Sequence, residues 1–83
     1  MVKILFDKGQ NRSIAYDEEQ KVGECSFIVQ ENKWNITHTE VNNNYQGQGI
    51  ARKLVECVIE KGKENNKTVV ADCSYARKII ENK

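Results

Sequence analysis

A glycine-containing segment, residues 45–51, is the feature that most constrains how this chain can fold. It reads Tyr-Gln-Gly-Gln-Gly-Ile-Ala and lies between a run of alternating polarity that ends at Val41 and a helical pattern that begins near Gln48. Two glycines at the mouth of a helix allow a tight bend and a close approach of the backbone to a ligand. The N–H groups of a first helical turn lie at the positive end of the helix macrodipole and bind anions, typically phosphate. The segment therefore predicts a strand, an anion-binding loop and a helix in succession.

The residues that follow this loop support an anionic ligand but exclude two common phosphate-binding motifs. Arg52 and Lys53 lie in the first helical turns, where the macrodipole disfavours cations and a bound polyanion would compensate for them. A dinucleotide-binding fingerprint requires a small residue at position 52, and a P-loop requires four residues between its glycines followed by Lys-Ser/Thr. Neither pattern is present, although a helix entry without a ligand remains an alternative.

Composition and charge narrow the class of protein. A chain of 83 residues predicts a single domain, 1–83. The net charge of +1 and the absence of a basic stripe with aromatic residues argue against nucleic acid as a partner. No apolar run approaches the roughly 20 residues that a membrane helix needs. The three cysteines lack metal-ligand spacing, so we expect no metal, and the chain is predicted to be cytoplasmic because its start does not resemble a secretion signal.

The periodicity of the sequence predicts an α+β fold. The pattern gives strands at 2–6, 11–16, 22–30, 34–41 and 67–72, one long helix at 48–64 and one short helix at 75–81 with Ser74 as its N-cap. The first four strands are joined by short turns and are expected to be antiparallel, whereas a strand–helix–strand unit makes its two strands parallel. The result is a mixed, mostly antiparallel five-stranded sheet in the order β-β-β-β-α-β-α. Alternation in the fourth strand predicts one shared face for Trp34, Ile36, His38 and Glu40.

Three stretches resemble signatures of one enzyme superfamily and occur in its order and spacing. They are His38-Thr39-Glu40-Val41, the loop read as Gln-x-x-Gly-x-Ala (Gln46, Gly49, Ala51), and Cys73-Ser74-Tyr75. Together they resemble the GNAT superfamily of acetyl-CoA-dependent N-acyltransferases, and in particular its compact branch of chains of about this length. The resemblance extends over nearly the whole chain and implies the minimal GNAT-like fold.

The resemblance also implies a binding site for the coenzyme acetyl-CoA. Strands 34–41 and 67–72 would splay apart, the pantetheine arm would lie in the gap, and backbone groups near Val41 would pair with its amides. A phosphate would lie near Arg52 or Lys53. The pyrophosphate would be held by the loop amides, which belong to Gln46, Gly47, Gln48, Gly49, Ile50 and Ala51.

The implied reaction is attack of a neutral amine on the thioester, which requires a base for the ammonium proton. Glu40 is the first candidate, acting directly or through water, and His38 is the second because its reference pKa of about 6.5 suits the task. Their structural alternatives are a strand-end charge and a partly buried core histidine. Tyr75 is the candidate acid for the departing thiolate, or else packs against the sheet.

Cys73 is predicted either to carry the acetyl group as a nucleophile or to shape the pantetheine slot by packing, and we favour packing. Direct transfer in the superfamily needs no nucleophile, and an acetyl-cysteine would only exchange one thioester for another. Two functions remain open for the whole chain: an N-acetyltransferase acting on an unknown amine, or a non-catalytic CoA-binding regulatory or interaction module. We expect a monomer or a weak homodimer.

Overall fold

The computed structural model describes residues 1–82, and its elements follow one another in the predicted order β-β-β-β-α-β-α. The strands are β1 (Val2–Asp7), β2 (Arg12–Asp17), β3 (Gln20–Gln30), β4 (Lys33–Val41) and β5 (Thr68–Ala71), and the helices are α1 (Ile50–Glu64) and α2 (Ser74–Glu81). The sheet order is β1-β2-β3-β4-β5, with β5 parallel to β4 and the other pairs antiparallel. The predicted mixed, mostly antiparallel sheet is therefore confirmed.

Both helices pack on the same face of this sheet. Apolar residues of α1 recur every three or four positions, and Leu54, Val55 and Val58 are wholly buried. They share one core cluster with Trp34 of β4 and Ile79 of α2. In the same layer three aromatic rings form a cluster, with the Phe27 and Trp34 centroids 4.4 Å apart and Phe6 within 6.0 Å of both. We call the opposite side of the sheet the helix-free face.

A β-bulge in β4 reverses the side-chain alternation and makes one prediction wrong. Ile36 pairs with Phe27, but the next pair on β3 is Ser26 with His38, so Thr37 has no partner. One extra residue shifts every later side chain to the other face of the strand. Trp34 and Ile36 therefore point into the core, whereas His38 and Glu40 are exposed on the helix-free face.

The beginnings of both helices also differ from the sequence prediction. Helix α1 begins at Ile50 rather than near Gln48, because Gly49 has the left-handed φ of 76° and is its N-cap. Helix α2 begins at Ser74, which is already its first helical residue, so the N-cap is the extended Cys73. Across residues 1–82, neither helix combines the length and the apolar character required to cross a membrane.

Candidate functional site

The strands β4 and β5 separate at a fork. Their last pair is Ile36 with Ala71, and the carbonyl oxygen of Ile36 then accepts from both Asp72 N at 3.0 Å and Cys73 N at 3.2 Å. Beyond this point residues 38–41 of β4 pair with β3 on one side and with no strand of the described chain on the other. Residues 38–41 of β4 therefore diverge from β5, as the resemblance implied.

An open groove of about 660 Å³ lies beside the fork. It is formed where the end of β4, the glycine loop, the start of α1 and the first turn of α2 meet. Its lining residues are Thr39, Glu40, Val41, Tyr45, Gln46, Gly47, Gly49, Ile50, Ala51 and Tyr75. All three stretches that carry the resemblance contribute residues to the groove or to the fork. Gln48, Arg52 and Lys53, which were also predicted to bind the coenzyme, do not line it.

The glycine loop has a conformation suited to an anion. Gly47 and Gly49 have φ values of 84° and 76°, a region that side chains with a Cβ rarely occupy. No side chain caps the start of α1 and no acidic residue lies in its first turn. The first N–H groups of a helix lack intrahelical partners, so here they remain available to a ligand.

The two cations near the start of α1, Arg52 and Lys53, point away from this loop. The Nε of Arg52 lies 3.3 Å from Oε2 of Glu56, one turn further along the helix. Lys53 lines a separate shallow groove with Ile4 and Cys57, beside β1. A phosphate contact from either side chain therefore requires it to change rotamer.

A hydrogen bond between residues distant in sequence fastens the turn that precedes the glycine loop. Tyr45 ends the 3-10 turn Asn43–Tyr45, and its hydroxyl donates to Oδ2 of Asp17 at 2.6 Å. This bond is the main cause that lowers the pKa of Asp17, and it raises the pKa of Tyr45. The sequence contains no local signal for this contact, since the two residues are 28 positions apart, Asp17 at the end of β2 and Tyr45 in the 3-10 turn.

The two candidate bases lie together on the helix-free face. Nε2 of His38 is 3.5 Å from Oε2 of Glu40, and their side chains are 57% and 63% exposed. His38 is therefore not a core histidine. An exposed carboxylate beside an imidazole can accept a proton and exchange it with water.

Two candidate residues, Cys73 and Tyr75, follow β5 and lie on the face of the sheet that carries the helices. The Cys73 thiol donates to Oγ1 of Thr39 at 3.8 Å, and that hydroxyl donates to Sγ of Cys25 at 3.5 Å. Cys25 is buried, and burial raises its pKa to about 11, which keeps this thiol protonated. Tyr75 is 43% exposed in the first turn of α2. The structure thus brings His38 together with Glu40 on the helix-free face. It brings Cys73 together with Thr39 on the opposite face of the sheet.

Asn35 and Asp72, which the sequence reasoning did not single out, also meet at the fork. The Asn35 amide donates through Nδ2 to Oδ2 of Asp72 at 2.9 Å. Both belong to the helix-free face, because Asn35 alternates with the core residues of β4 and Asp72 follows Ala71. Across residues 1–82, no three His, Cys, Asp or Glu side chains are grouped so as to hold a metal ion.

Comparison with known proteins gives one consistent result. A family model described as GCN5-related N-acetyl-transferase matches residues 12–83. The solution structure of a GCN5-like protein from Staphylococcus aureus is 34% identical, with a TM-score of 0.71 over 96% of this chain and 78% of that one. A search among curated proteins gave no match.

Two further structures are more distant. The ribosomal-protein-S18-alanine N-acetyltransferase from Escherichia coli is 16% identical, with a TM-score of 0.72 over 86% of this chain and 49% of that one, and this likeness shows the fold alone. A chain of the NatC complex bound to Gag peptide and CoA is 26% identical, with a TM-score of 0.64 over 86% of this chain and 54% of that one. The chain therefore spans about half the length of these two proteins.

Proposed function

Because the chain belongs to the GCN5-related N-acetyltransferase family, we propose that it transfers an acetyl group from acetyl-CoA to an amine by direct attack. One observation carries the proposal: the fork between β4 and β5 opens into the same groove as the glycine loop. A coenzyme with an anionic end and an extended arm fits that combination, since the loop offers N–H groups and the free side of β4 offers backbone partners.

The coenzyme is proposed to lie along this groove. Its pyrophosphate would accept from N–H groups of residues 46–51, the segment in which Gly47 and Gly49 have positive φ values. Its pantetheine arm would pair with backbone groups near Val41 and reach the fork with its thioester. After a change of rotamer, Arg52 or Lys53 would lie near a phosphate.

The proposed reaction needs only the amine and acetyl-CoA as reactants. The neutral amine nitrogen attacks the thioester carbonyl, the N–C bond forms and the C–S bond breaks. The proton released by the amine passes to Glu40 directly or through water, and His38 at 3.5 Å is the neighbouring acceptor. The departing thiolate takes a proton from Tyr75 or from solvent and leaves as free CoA.

Cys73 is proposed to shape the fork and not to carry the acetyl group. Its thiol donates a hydrogen bond to Thr39, on the face of the sheet opposite to His38 and Glu40. Intact-mass measurement after mixing the protein with acetyl-CoA and no acceptor should show no acetyl adduct. An adduct that is lost on adding an amine and is absent in Cys73→Ala would make Cys73 the nucleophile.

Thermal unfolding in the presence of acetyl-CoA tests the coenzyme assignment. A ligand that binds only the native state stabilises it by about 2.7 kcal/mol at a hundredfold excess over Kd, so the melting temperature should rise. Gly49→Val should abolish this rise while the circular dichroism spectrum stays native, because a β-branched residue resists the left-handed conformation of Gly49. The absence of any rise with the unmodified protein at millimolar acetyl-CoA would refute the assignment.

Release of free thiol from acetyl-CoA then distinguishes an enzyme from a non-catalytic binding module. The measurement should be made against a panel of amines and peptides. Amine-dependent release supports the transferase. A melting-temperature rise without release for any member of the panel supports the binding module instead.

A further inference from the structure

The first strand, β1, is an edge strand whose outer side has no neighbouring strand in the described chain. The outer side of an edge strand carries unpaired N–H and C=O groups, which can pair with a strand of another molecule. The apolar residues of β1 are also incompletely covered. Val2, Ile4 and Phe6 pack against the core but remain partly exposed, and Leu5 on the helix-free face is 53% exposed. Both the backbone and the side chains of β1 can therefore make a further contact.

The two charged residues within β1 have opposite signs and lie two positions on either side of Leu5. Lys3 and Asp7 alternate with the core residues of the strand, so they share the helix-free face with Leu5. Asp7 accepts from Nε of Arg12 at 3.4 Å, whereas Lys3 forms no ion pair within residues 1–82. Charged residues on an edge strand often prevent pairing. Here, however, their spacing brings opposite charges together when two copies of β1 meet antiparallel.

Antiparallel pairing about a two-fold axis at Leu5 gives each residue from Lys3 to Asp7 a compatible partner. Leu5 lies opposite its own copy, Lys3 lies opposite Asp7 of the second copy, and Ile4 lies opposite Phe6. Residues that lie opposite each other share a face, so the charged pairs lie on the helix-free face and the apolar pairs lie beside the helices. An axis at Ile4 would place Lys3 opposite Leu5, and an axis at Phe6 would place Leu5 opposite Asp7. The side chains therefore favour the register centred on Leu5.

The other edge of the sheet is less available for pairing. The edge strand β5 has only four residues, and Arg77 donates from Nε and Nη2 to the carbonyl oxygen of Ala71 at 3.2 Å and 3.1 Å. Pairing of β1 with itself uses the same surface on both copies, so the association closes at a dimer. The fork between β4 and β5 lies at the opposite edge of the sheet and stays open in such a dimer.

We infer that β1 is the interface of a weak homodimer, in which the five-stranded sheets of two copies join antiparallel into one continuous sheet. The edge is about 20 Å long, from six residues at roughly 3.4 Å each, and the shortest dimension of the molecule is 17 Å. A contact of this outline covers roughly 340 Å², well below the about 800 Å² that each partner buries in a stable interface. The copies consequently associate reversibly and at high concentration. The dimer does not depend on the proposed function, because no residue of β1 lines the groove.

The dependence of molecular mass on concentration is the first test, and it needs no coenzyme. In analytical ultracentrifugation the unmodified protein should sediment as a monomer near about 10 µM and approach the dimer mass near about 1 mM, as expected for so small an interface. Nuclear magnetic resonance spectra over the same series locate the contact. The backbone N–H signals of residues 2–7 should shift with concentration, whereas those of residues 68–71 in β5 should not.

Two charge reversals test the register. Lys3→Glu places like charges opposite each other at two symmetry-related positions, so it should raise the Kd of the dimer at least roughly tenfold. Asp7→Lys should weaken self-association in the same way with the opposite sign. An equimolar mixture of the two variants should associate again, because the mixed pair has opposite charges at both positions. Lys33→Glu, in the inner strand β4, is the matched control and should leave the Kd unchanged.

Circular dichroism should confirm that both variants are folded, since Asp7→Lys also loses the ion pair with Arg12. If Asp7→Lys does not fold, the comparison of Lys3→Glu with Lys33→Glu still decides whether the charge on β1 controls association.

Four results would overturn the inference. A protein that stays monomeric at about 1 mM would assign Lys3 and Asp7 to preventing edge pairing. A Kd that is the same in Lys3→Glu would exclude the register centred on Leu5. Folded variants that associate neither alone nor as a mixture would exclude it as well. Concentration-dependent shifts at residues 68–71 instead of residues 2–7 would place the interface at the other edge of the sheet.

Discussion

Among single residues, Thr37 has the largest consequence for the chemistry of the site. As the unpaired residue of the bulge, it turns His38 and Glu40 away from the core that Trp34 and Ile36 enter. A general base must reach both the reacting amine and a group or water molecule that accepts the proton from it. Exposure on the helix-free face gives Glu40 access to water, and the 3.5 Å contact gives it a neighbouring imidazole.

Replacement of the two candidate bases should separate their roles. We expect Glu40→Gln to lower kcat by roughly 10²–10⁴, the usual contribution of a positioned general base. His38→Gln should have a smaller effect, because in this scheme His38 assists Glu40. Initial rates of thiol release from pH 6 to pH 9 provide the measurement. Full activity of Glu40→Gln over that range, or the larger loss in His38→Gln, would reverse the assignment.

At the scale of secondary-structure elements, the glycine loop depends on a contact from outside its own segment. The 3-10 turn Asn43–Tyr45 connects β4 to the loop, and the Tyr45 hydroxyl fastens that turn to Asp17 at the end of β2. Tyr45 also packs against the core cluster and lines the groove. A ligand that needs the loop in one conformation should therefore bind more weakly when this bond is removed.

Removal of the Tyr45–Asp17 bond should raise the Kd for acetyl-CoA by up to roughly fivefold, as expected for a partly exposed contact with a carboxylate. Tyr45→Phe and Asp17→Asn should each have this effect, and the double variant should be no worse than either, while kcat changes little. Tyr16→Phe is the matched control. Calorimetric titration of the unmodified protein, the two single variants and the double variant gives the double-mutant cycle. Additive effects on Kd would show that the two residues act independently.

The same bond predicts a pH dependence of stability with a definite sign. The pKa of Asp17 is lowered in the folded protein below its ordinary value of 3.8, chiefly by the hydrogen bond from Tyr45. Its contribution to stability is therefore present above pH 3.8 and is lost as the pH falls through the lower, folded value. Asp17→Asn should show a shallower loss of the melting temperature on acidification in that window.

For the molecule as a whole, α1 and the sheet approach each other closely at Gly62. A Cβ at this position would overlap Cγ2 of Val69 in β5 and lie 3.5 Å from Cε3 of Trp34 in β4. Gly62 thus sets the distance between the helix layer and the strands that border the fork. A side chain there would push these layers apart or displace the strand.

Gly62→Ala should lower the free energy of unfolding by about 1–3 kcal/mol, the usual cost of overpacking a core. This sign is informative because alanine is the better helix former by about 1 kcal/mol, so propensity alone predicts the opposite. Urea unfolding gives the midpoint. Gly9→Ala is the control, since a Cβ there meets only an Asp7 oxygen at 3.6 Å. A stabilised Gly62→Ala would mean that α1 can move away from β5 at little cost.

The sequence by itself determined the order and type of the elements and the position of the glycine loop. These properties depend on local chemistry. Apolar residues at helical spacing require a helix with one buried side, and short connections between the first four strands require antiparallel neighbours. The glycines at 47 and 49 predicted a tight loop, and both have positive φ. Even so, the first residue of each helix was misplaced, because capping depends on the conformation of Gly49 and Cys73 and not on residue preference alone.

Only the tertiary structure decided which side chains share a face at the fork. The bulge at Thr37 exists because β4 pairs with β3 in two registers, and no property of β4 alone reveals the partner's register. The bond from Asn35 to Asp72 joins residues 37 positions apart, and it forms because β5 lies parallel beside β4. Contacts of this kind follow from how strands pair across the sheet, which local periodicity does not encode.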